Sequence, residues 1–275
     1  MIQYLKNLIL DPYPLRTLTL DVVKKFKLGS YLFRLNTGAV ERPHYGYIVY
    51  NGALLAKKLG HKRISILEFG VAGGNGLVNL EYHATEVKKL LGVEIDIYGF
   101  DTGEGLPEPV DYRDLPYHWK AGFFKMDAET LQKRLKFSKL VFGNINETSK
   151  NFFEVYNPAP IAAISHDFDF YSSTAEALMM FKADEKFFLP RVFCYFDDTI
   201  GNETELYNDY TGERLAINEF NAAHETKKIC LPHYLLAQKI PQTWHHQIFI
   251  YHDFAHKDYN KFISDENQQL LLNAD

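Results

Sequence analysis

The stretch ILEFGVAGGNGLVNLE, Ile66 to Glu81, sets four glycines, Gly70, Gly73, Gly74 and Gly76, within seven residues. An apolar run precedes them, and Leu77, Leu80, Ala84, Val87 and Leu91 follow at steps of three and four, which is one face of a helix. Strand, glycine turn and helix in that order form the first unit of an open parallel sheet, whose opening turn is the usual ligand cradle. Glycine at such a turn permits positive φ and lets the backbone touch a ligand, while the helix that follows presents free N–H groups. A tight turn without a ligand has the same spacing, so the decision rests on the rest of the chain.

Outward from this turn the alternation continues. RISILEFG (63–70), EIDIYGFD (94–101), SKLVFGNI (138–145), PIAAISHDFD (160–169) and RVFCYFDD (191–198) read as five strands. Helical patterns separate most of them, among them STAEALMMFKADEKF (173–187). This rhythm predicts a doubly wound α/β sheet with right-handed crossovers. ICLPHYLLAQ (229–238) and WHHQIFIYHDF (244–254) read as two further strands joined by a turn, an antiparallel pair on the sheet edge. RPHYGYIVYNGALLAKKLG (42–60) reads as a helix with Lys57 and Lys58 in its last turn and Gly60 as its cap. The expected layout is an N-terminal extension over 1–41, one domain over 42–260 and a tail over 261–275. Within the extension, MIQYLKNLIL could form a short amphipathic helix lying on the body or on a partner subunit, which allows a homo-oligomer.

A chain of 275 residues, 46% hydrophobic and 15% aromatic, can bury one large core. Its net charge of −5 and dispersed lysines and arginines leave no electrostatic footprint for nucleic acid. No apolar run approaches the roughly 20 residues that span a bilayer, and no signal-peptide pattern opens the chain, so a cytoplasmic protein is expected. Cys194 and Cys230 lie in apolar, strand-like runs without metal-ligand spacing and are expected to be buried thiols.

Asp101 closes the second strand, where an acidic residue can accept hydrogen bonds from two ribose hydroxyls. A dinucleotide loop normally reads G-x-G-x-x-G, with the helix N-terminus aimed at a pyrophosphate. Here Glu68 leads the loop, and its carboxylate suits a cofactor carrying an amino group and a sulfonium, hence S-adenosylmethionine. Glu68, Gly70, Val71, Ala72, Gly73, Gly74, Asp101, Thr102 and Asp167 are the candidate cofactor contacts, with Asp127 and Asn144 placed near the adenine by sheet position.

Alternate strand residues share a face, so Asp167 and Asp169 should point together at the end of the fourth strand, and Asp197 and Asp198 end the fifth. On neighbouring strands, about 4.8 Å apart, these carboxylates would meet and repel unless protonated or bound to a cation. An all-oxygen, acid-rich pocket favours magnesium, manganese or calcium over zinc. Helix capping and turn formation would use the same aspartates without any metal. His166 is expected to point to the opposite face as a packed or hydrogen-bonded histidine, and His245, His246, His252 and His256 to line a polar strand surface. Tyr117, His118 and Trp119 fall in a segment read as a lid, whose aromatic planes suit either a sugar ring or packing within the lid itself.

LEFGVAGGNG, YGFDTGEGLP, DFDFYSST, FDDT and GERLAINEF, in that order, resemble the signature segments of the macrocin O-methyltransferase family over roughly residues 42–253. Members are metal-dependent enzymes that methylate sugar hydroxyls from S-adenosylmethionine. The resemblance implies a seven-stranded Rossmann-like sheet, mostly parallel with an antiparallel C-terminal edge. It also implies a divalent cation, expected to be magnesium, on Asp167, Asp197 and Asp198, with Asp169 as catalytic base, and a small-molecule or glycan acceptor. Two positions depart from the family pattern: Ser172 stands where an acidic residue is usual, and Thr199 where an aromatic one is. A phenolic or other small diol acceptor would use the same site residues. A nicotinamide-dependent oxidoreductase, which needs no aspartate pairs, and a module that holds S-adenosylmethionine without turnover remain as readings from other classes.

Overall fold

The computed structural model of the chain describes residues 13–266. The helix expected over MIQYLKNLIL lies outside the described residues. Three helices come first: α1 (Pro14–Phe26), α2 (Tyr31–Thr37) and α3 (Pro43–Leu59). The alternation then follows as β1 (Arg63–Phe69), α4 (Asn75–Leu91), β2 (Glu94–Asp101), α5 (Ala128–Arg134), β3 (Lys139–Phe142), α6 (Ile145–Tyr156), β4 (Ile161–His166), α7 (Tyr171–Leu178) and β5 (Phe188–Phe196). After β5 come α8 (Gly212–Ala223), β6 (Lys227–Cys230), the short α9 (His233–Leu236) and β7 (Ile248–Asp253).

The strands form one seven-stranded sheet in the order β3-β2-β1-β4-β5-β7-β6. β1 to β5 pair in parallel, while β7 lies antiparallel between β5 and β6. The central strands are apolar on both faces, as a sheet covered on both sides requires: β4 is buried at all six positions. One core layer gathers α3 and α4 through Ile48, Val49, Leu77, Leu80 and Val87. The other is aromatic and gathers α6, α7 and α8 through Phe152, Leu178 and Phe220, packed with Phe181, Phe196 and Tyr251. Strand order reverses direction between β1 and β4, which sets the ligand crevice at their C-terminal ends.

α3 ends on Gly60 with Lys57 and Lys58 in its last turn, as its sequence predicts. The edge pair is antiparallel as expected, but both strands are shorter than their apolar runs. β6 stops at Cys230, and Pro232 opens α9 where a strand was expected. Thr243–His246 form a 3₁₀ turn before β7, so of the four C-terminal histidines only His252 is on a strand. Cys194 is buried as expected, whereas Cys230, the last residue of the edge strand, is exposed.

Candidate active site

A hollow of about 470 Å³ opens over the C-terminal ends of β1, β2, β4 and β5. It takes in Gly70, Ala72, Asp101, Thr102, Asn144, Asp167, Asp169, Asp197 and Asp198, nine of the residues singled out from sequence. Glu68, Val71, Gly73, Gly74 and Asp127 do not line it. Val71 and Gly74 are buried in packing beneath the loop, and Gly73 faces open space. Asp127 instead caps α5, accepting the Thr130 N–H at 3.0 Å.

The protein's own packing accounts for two of the glycines. Gly70 has φ +76°, and a Cβ there would lie 1.8 Å from the Asp167 carbonyl oxygen, because β1 and β4 leave the sheet side by side from the paired Phe69 and His166. Gly76, in the first turn of α4, would drive a Cβ to 2.0 Å from Glu68 Oε1. Glu68 is 1% exposed; its Oε1 accepts the Tyr45 hydroxyl at 2.8 Å and its Oε2 has no partner. Burial pushes this carboxyl up to about 8, although the Tyr45 hydrogen bond opposes the rise. Asp101 serves the loop directly: Oδ2 accepts the Val71 and Ala72 N–H groups at 2.9 and 2.8 Å, and Oδ1 accepts that of Gly103 at 2.6 Å. A carboxylate offers about four lone-pair sites, so one is left for a ligand hydroxyl.

The aspartates meet, but not by strand alternation. β4 ends at His166, and Asp169 sits at φ +62°, so the turn Asp167–Asp169 aims its side chains by a left-handed bend. Asp167, Asp197 and Asp198 each bring a carboxylate oxygen to within 4.8 Å of the others, the one such group among the described residues. Asp198 is fixed from three sides. Its Oδ2 accepts the Asp169 N–H at 2.8 Å, its Oδ1 accepts the Tyr207 hydroxyl at 2.9 Å, and its own N–H donates to Glu213 at 2.9 Å. Tyr195 donates its hydroxyl to Asp197. Burial first, then repulsion between neighbouring carboxylates, lifts Asp169 to about 9 and Asp198 to about 7, and holds Asp167 and Glu213 well above the ordinary range. Crowded hard oxygen donors whose protons are held by mutual repulsion fit a divalent cation of the magnesium type.

The segment after β2 folds over the hollow. Asp114, fully buried, accepts the Val110 N–H at 2.9 Å, the Ser172 N–H at 2.8 Å and the Ser172 hydroxyl at 3.0 Å, pinning the segment to the first turn of α7. Tyr117 donates its hydroxyl to the Glu205 carbonyl at 2.6 Å, and Trp119 Nε1 donates to the Tyr207 hydroxyl at 3.2 Å. Trp119 and Phe124 thereby become walls of the hollow. His166 is packed rather than hydrogen-bonded: it stacks on Phe196 at 4.1 Å, both ring nitrogens lack partners, and burial lowers it to about 3. Glu213, Tyr207, Asp114 and Glu205 escaped the sequence reading as site residues, although Glu213 lies in the quoted GERLAINEF segment.

The reversed strand order, the glycine turn after β1 and the antiparallel β7 inserted beside β5 define a Rossmann-like methyltransferase fold. Among solved structures the chain is similar to the O-methyltransferase NovP, with a TM-score of 0.52 and 12% identity over 76% of this chain and 79% of that one. It is also similar to CalS11, a calicheamicin methyltransferase, with a TM-score of 0.50 and 18% identity over 89% of this chain and 94% of that one. No protein-family model matches the chain, and no curated protein does. No helix of the described residues is long and apolar enough to cross a membrane.

Proposed function

We propose that the chain is an O-methyltransferase, related to the macrocin O-methyltransferases, that moves a methyl group from S-adenosylmethionine to a sugar or glycoconjugate hydroxyl with help from a divalent cation. The observation that carries this reading is the convergence of Asp167, Asp197 and Asp198 at the exits of β4 and β5, with Asp169 in the same hollow as the glycine turn. NovP and CalS11, which share the fold, are described as methyltransferases.

Asp167, Asp197 and Asp198 would hold the cation, and the glycine turn with Asp101 and Asn144 would hold the cofactor. When bound, the cation supplies positive charge that lowers the acceptor hydroxyl pKa, and the cofactor supplies an electrophilic methyl on sulfur. The chain's own part is to position, to exclude water and to take a proton. Asp101 fixes the glycine turn through the Val71 and Ala72 N–H groups and its own following turn through that of Gly103, which holds the two loops that would cradle the cofactor. Trp119 and Phe124 also line the hollow and offer aromatic faces on which an acceptor ring can stack and be oriented. Asp169 takes the acceptor hydroxyl proton on a carboxylate oxygen. Positive charge in the cluster offsets the repulsion that otherwise keeps this group protonated, so the base is armed only when the site is loaded.

Calorimetric titration with S-adenosylhomocysteine and with NADH, each with and without magnesium, tests the reading. Micromolar binding of the first and silence from the second is the expected result. The reverse pattern would overturn it in favour of an oxidoreductase.

A further inference from the structure

The lining of the hollow has a lopsided charge. The chain as a whole balances 35 acidic residues with 30 lysines and arginines. The hollow is lined by eight carboxylates and no lysine, arginine or histidine. Five of the eight already have employment in the proposed reaction: three toward a cation, Asp169 as base and Asp101 on the loop backbone. Glu108, Glu176 and Glu205 do not. They come from three separate elements, the segment after β2, the second turn of α7 and the loop after β5, yet all face the one cavity. Two more carboxylates lie beneath the floor. Glu68 and Glu213 are buried, and each has one oxygen without a partner.

One divalent cation and one sulfonium leave this lining with an excess of negative charge. A concave site with apolar walls concentrates that field, attracting positive ligands and repelling negative ones. Trp119 and Phe124 add aromatic faces, which attract cations as well as sugar rings. Glu205 has the His118 Nε2 at 3.7 Å, at the edge of the lid segment. A neutral acceptor would leave Glu108 and Glu176 without a counterpart and Glu205 with that imidazole alone, and a phosphorylated or carboxylated one would be repelled by all three.

We infer that the acceptor is an amine-bearing sugar or glycoconjugate, whose ammonium groups lie against Glu108, Glu176 and Glu205 while its hydroxyls face the aspartates. This rests on the methyltransferase reading and adds the acceptor's charge to it.

The test uses a matched pair of probes, kanamycin and its fully N-acetylated form, which keep the same rings and differ in positive charge. Each is titrated into the protein with saturating S-adenosylhomocysteine and magnesium, at low and at physiological salt. Kanamycin should bind at least about tenfold more tightly than the acetylated form, with the gap narrowing as salt rises. The Glu176→Gln/Glu205→Gln double variant should lose about tenfold for kanamycin and change little for the acetylated form. Glu129→Gln, on the exposed face of α5 away from the hollow, should change neither. Equal or tighter binding of the acetylated form, absence of kanamycin binding, or the same loss in the Glu129→Gln control would overturn the inference. Titration of S-adenosylhomocysteine alone into the same samples separates the two failures: silence there sinks the methyltransferase reading, while binding there with no charge preference sinks only the amine.

Discussion

Gly76 lies in the first turn of α4 with ordinary helical backbone, so replacing it with alanine should by propensity alone stabilise the protein by about 0.5–1 kcal/mol. The structure demands the opposite sign. The new Cβ would sit 2.0 Å from Glu68 Oε1 and 2.9 Å from the Tyr45 hydroxyl, within a hydrogen bond that is fully buried. Glu68 has no solvent to retreat into, being 1% exposed. Overpacking costs about 1–3 kcal/mol, and breaking a buried hydrogen bond about 1–3 kcal/mol more. Set against the helical gain, Gly76→Ala should destabilise by about 1–5 kcal/mol, which for a chain of this size lowers Tm by about 2–10 °C. Urea unfolding followed by circular dichroism reads the change. In a Glu68→Ala background the closest obstruction is gone and only the Tyr45 hydroxyl, freed of its partner, has to shift, so the same substitution should cost much less or become neutral. A Gly76→Ala protein as stable as the parent, or equal effects in both backgrounds, would refute the claim that this glycine exists to admit Glu68.

Asp169→Asn should lower methyl transfer about 10²–10⁴-fold while S-adenosylhomocysteine affinity, measured by calorimetry, stays within about twofold. Without a cation, Asp169 and Asp198 hold protons up to about 9 and about 7, so the native state binds more protons than the unfolded chain above pH ~4. The stability they contribute is fully present below that pH and is lost as pH rises through 7 and then 9. Tm in EDTA should therefore fall from about pH 4 up to about 9, most steeply below 7 where both groups contribute, and magnesium should flatten the profile; a flat profile in EDTA contradicts the crowded cluster. Asp114→Ala strips three hydrogen bonds from the segment over the hollow, and limited proteolysis should then cut within residues 108–124 well before the rest of the domain; an unchanged cleavage pattern would mean the segment is held elsewhere.

The strands β1 to β5 were legible because a sheet covered on both faces needs near-continuous apolar runs, and each run ends in an acid or a glycine. Thus the aspartates at the exits of β4 and β5 could be assigned to one site from strand order alone. Side-chain direction could not be read so easily. Asp167 and Asp169 were paired by alternation, but the strand stops one residue earlier and a left-handed residue does the aiming. The edge strands were overestimated because apolar runs there continue into α9 and a 3₁₀ turn that pack on the core just as well. Glu213 and Asp114 went unrecognised since their roles depend on partners 15 and 58 residues away, Asp198 and Ser172, and no local pattern records such a meeting. The glycines show the same limit: their density announced close approach, but the approaching atoms at Gly70 and Gly76 belong to the chain itself.

The three hydrogen bonds around Asp198 carry a thermodynamic consequence. A free carboxylate samples several rotamers, and capturing one in the correct orientation costs entropy at the moment of binding. Here Tyr207 and the Asp169 N–H lock both oxygens, and Glu213 locks the backbone, before any ligand arrives. Folding has already removed that freedom. Tyr207→Phe should thus weaken cation binding through a less favourable entropy with the binding enthalpy little altered, so that the preorganisation of the site can be read in a calorimeter as a separate quantity from its charge.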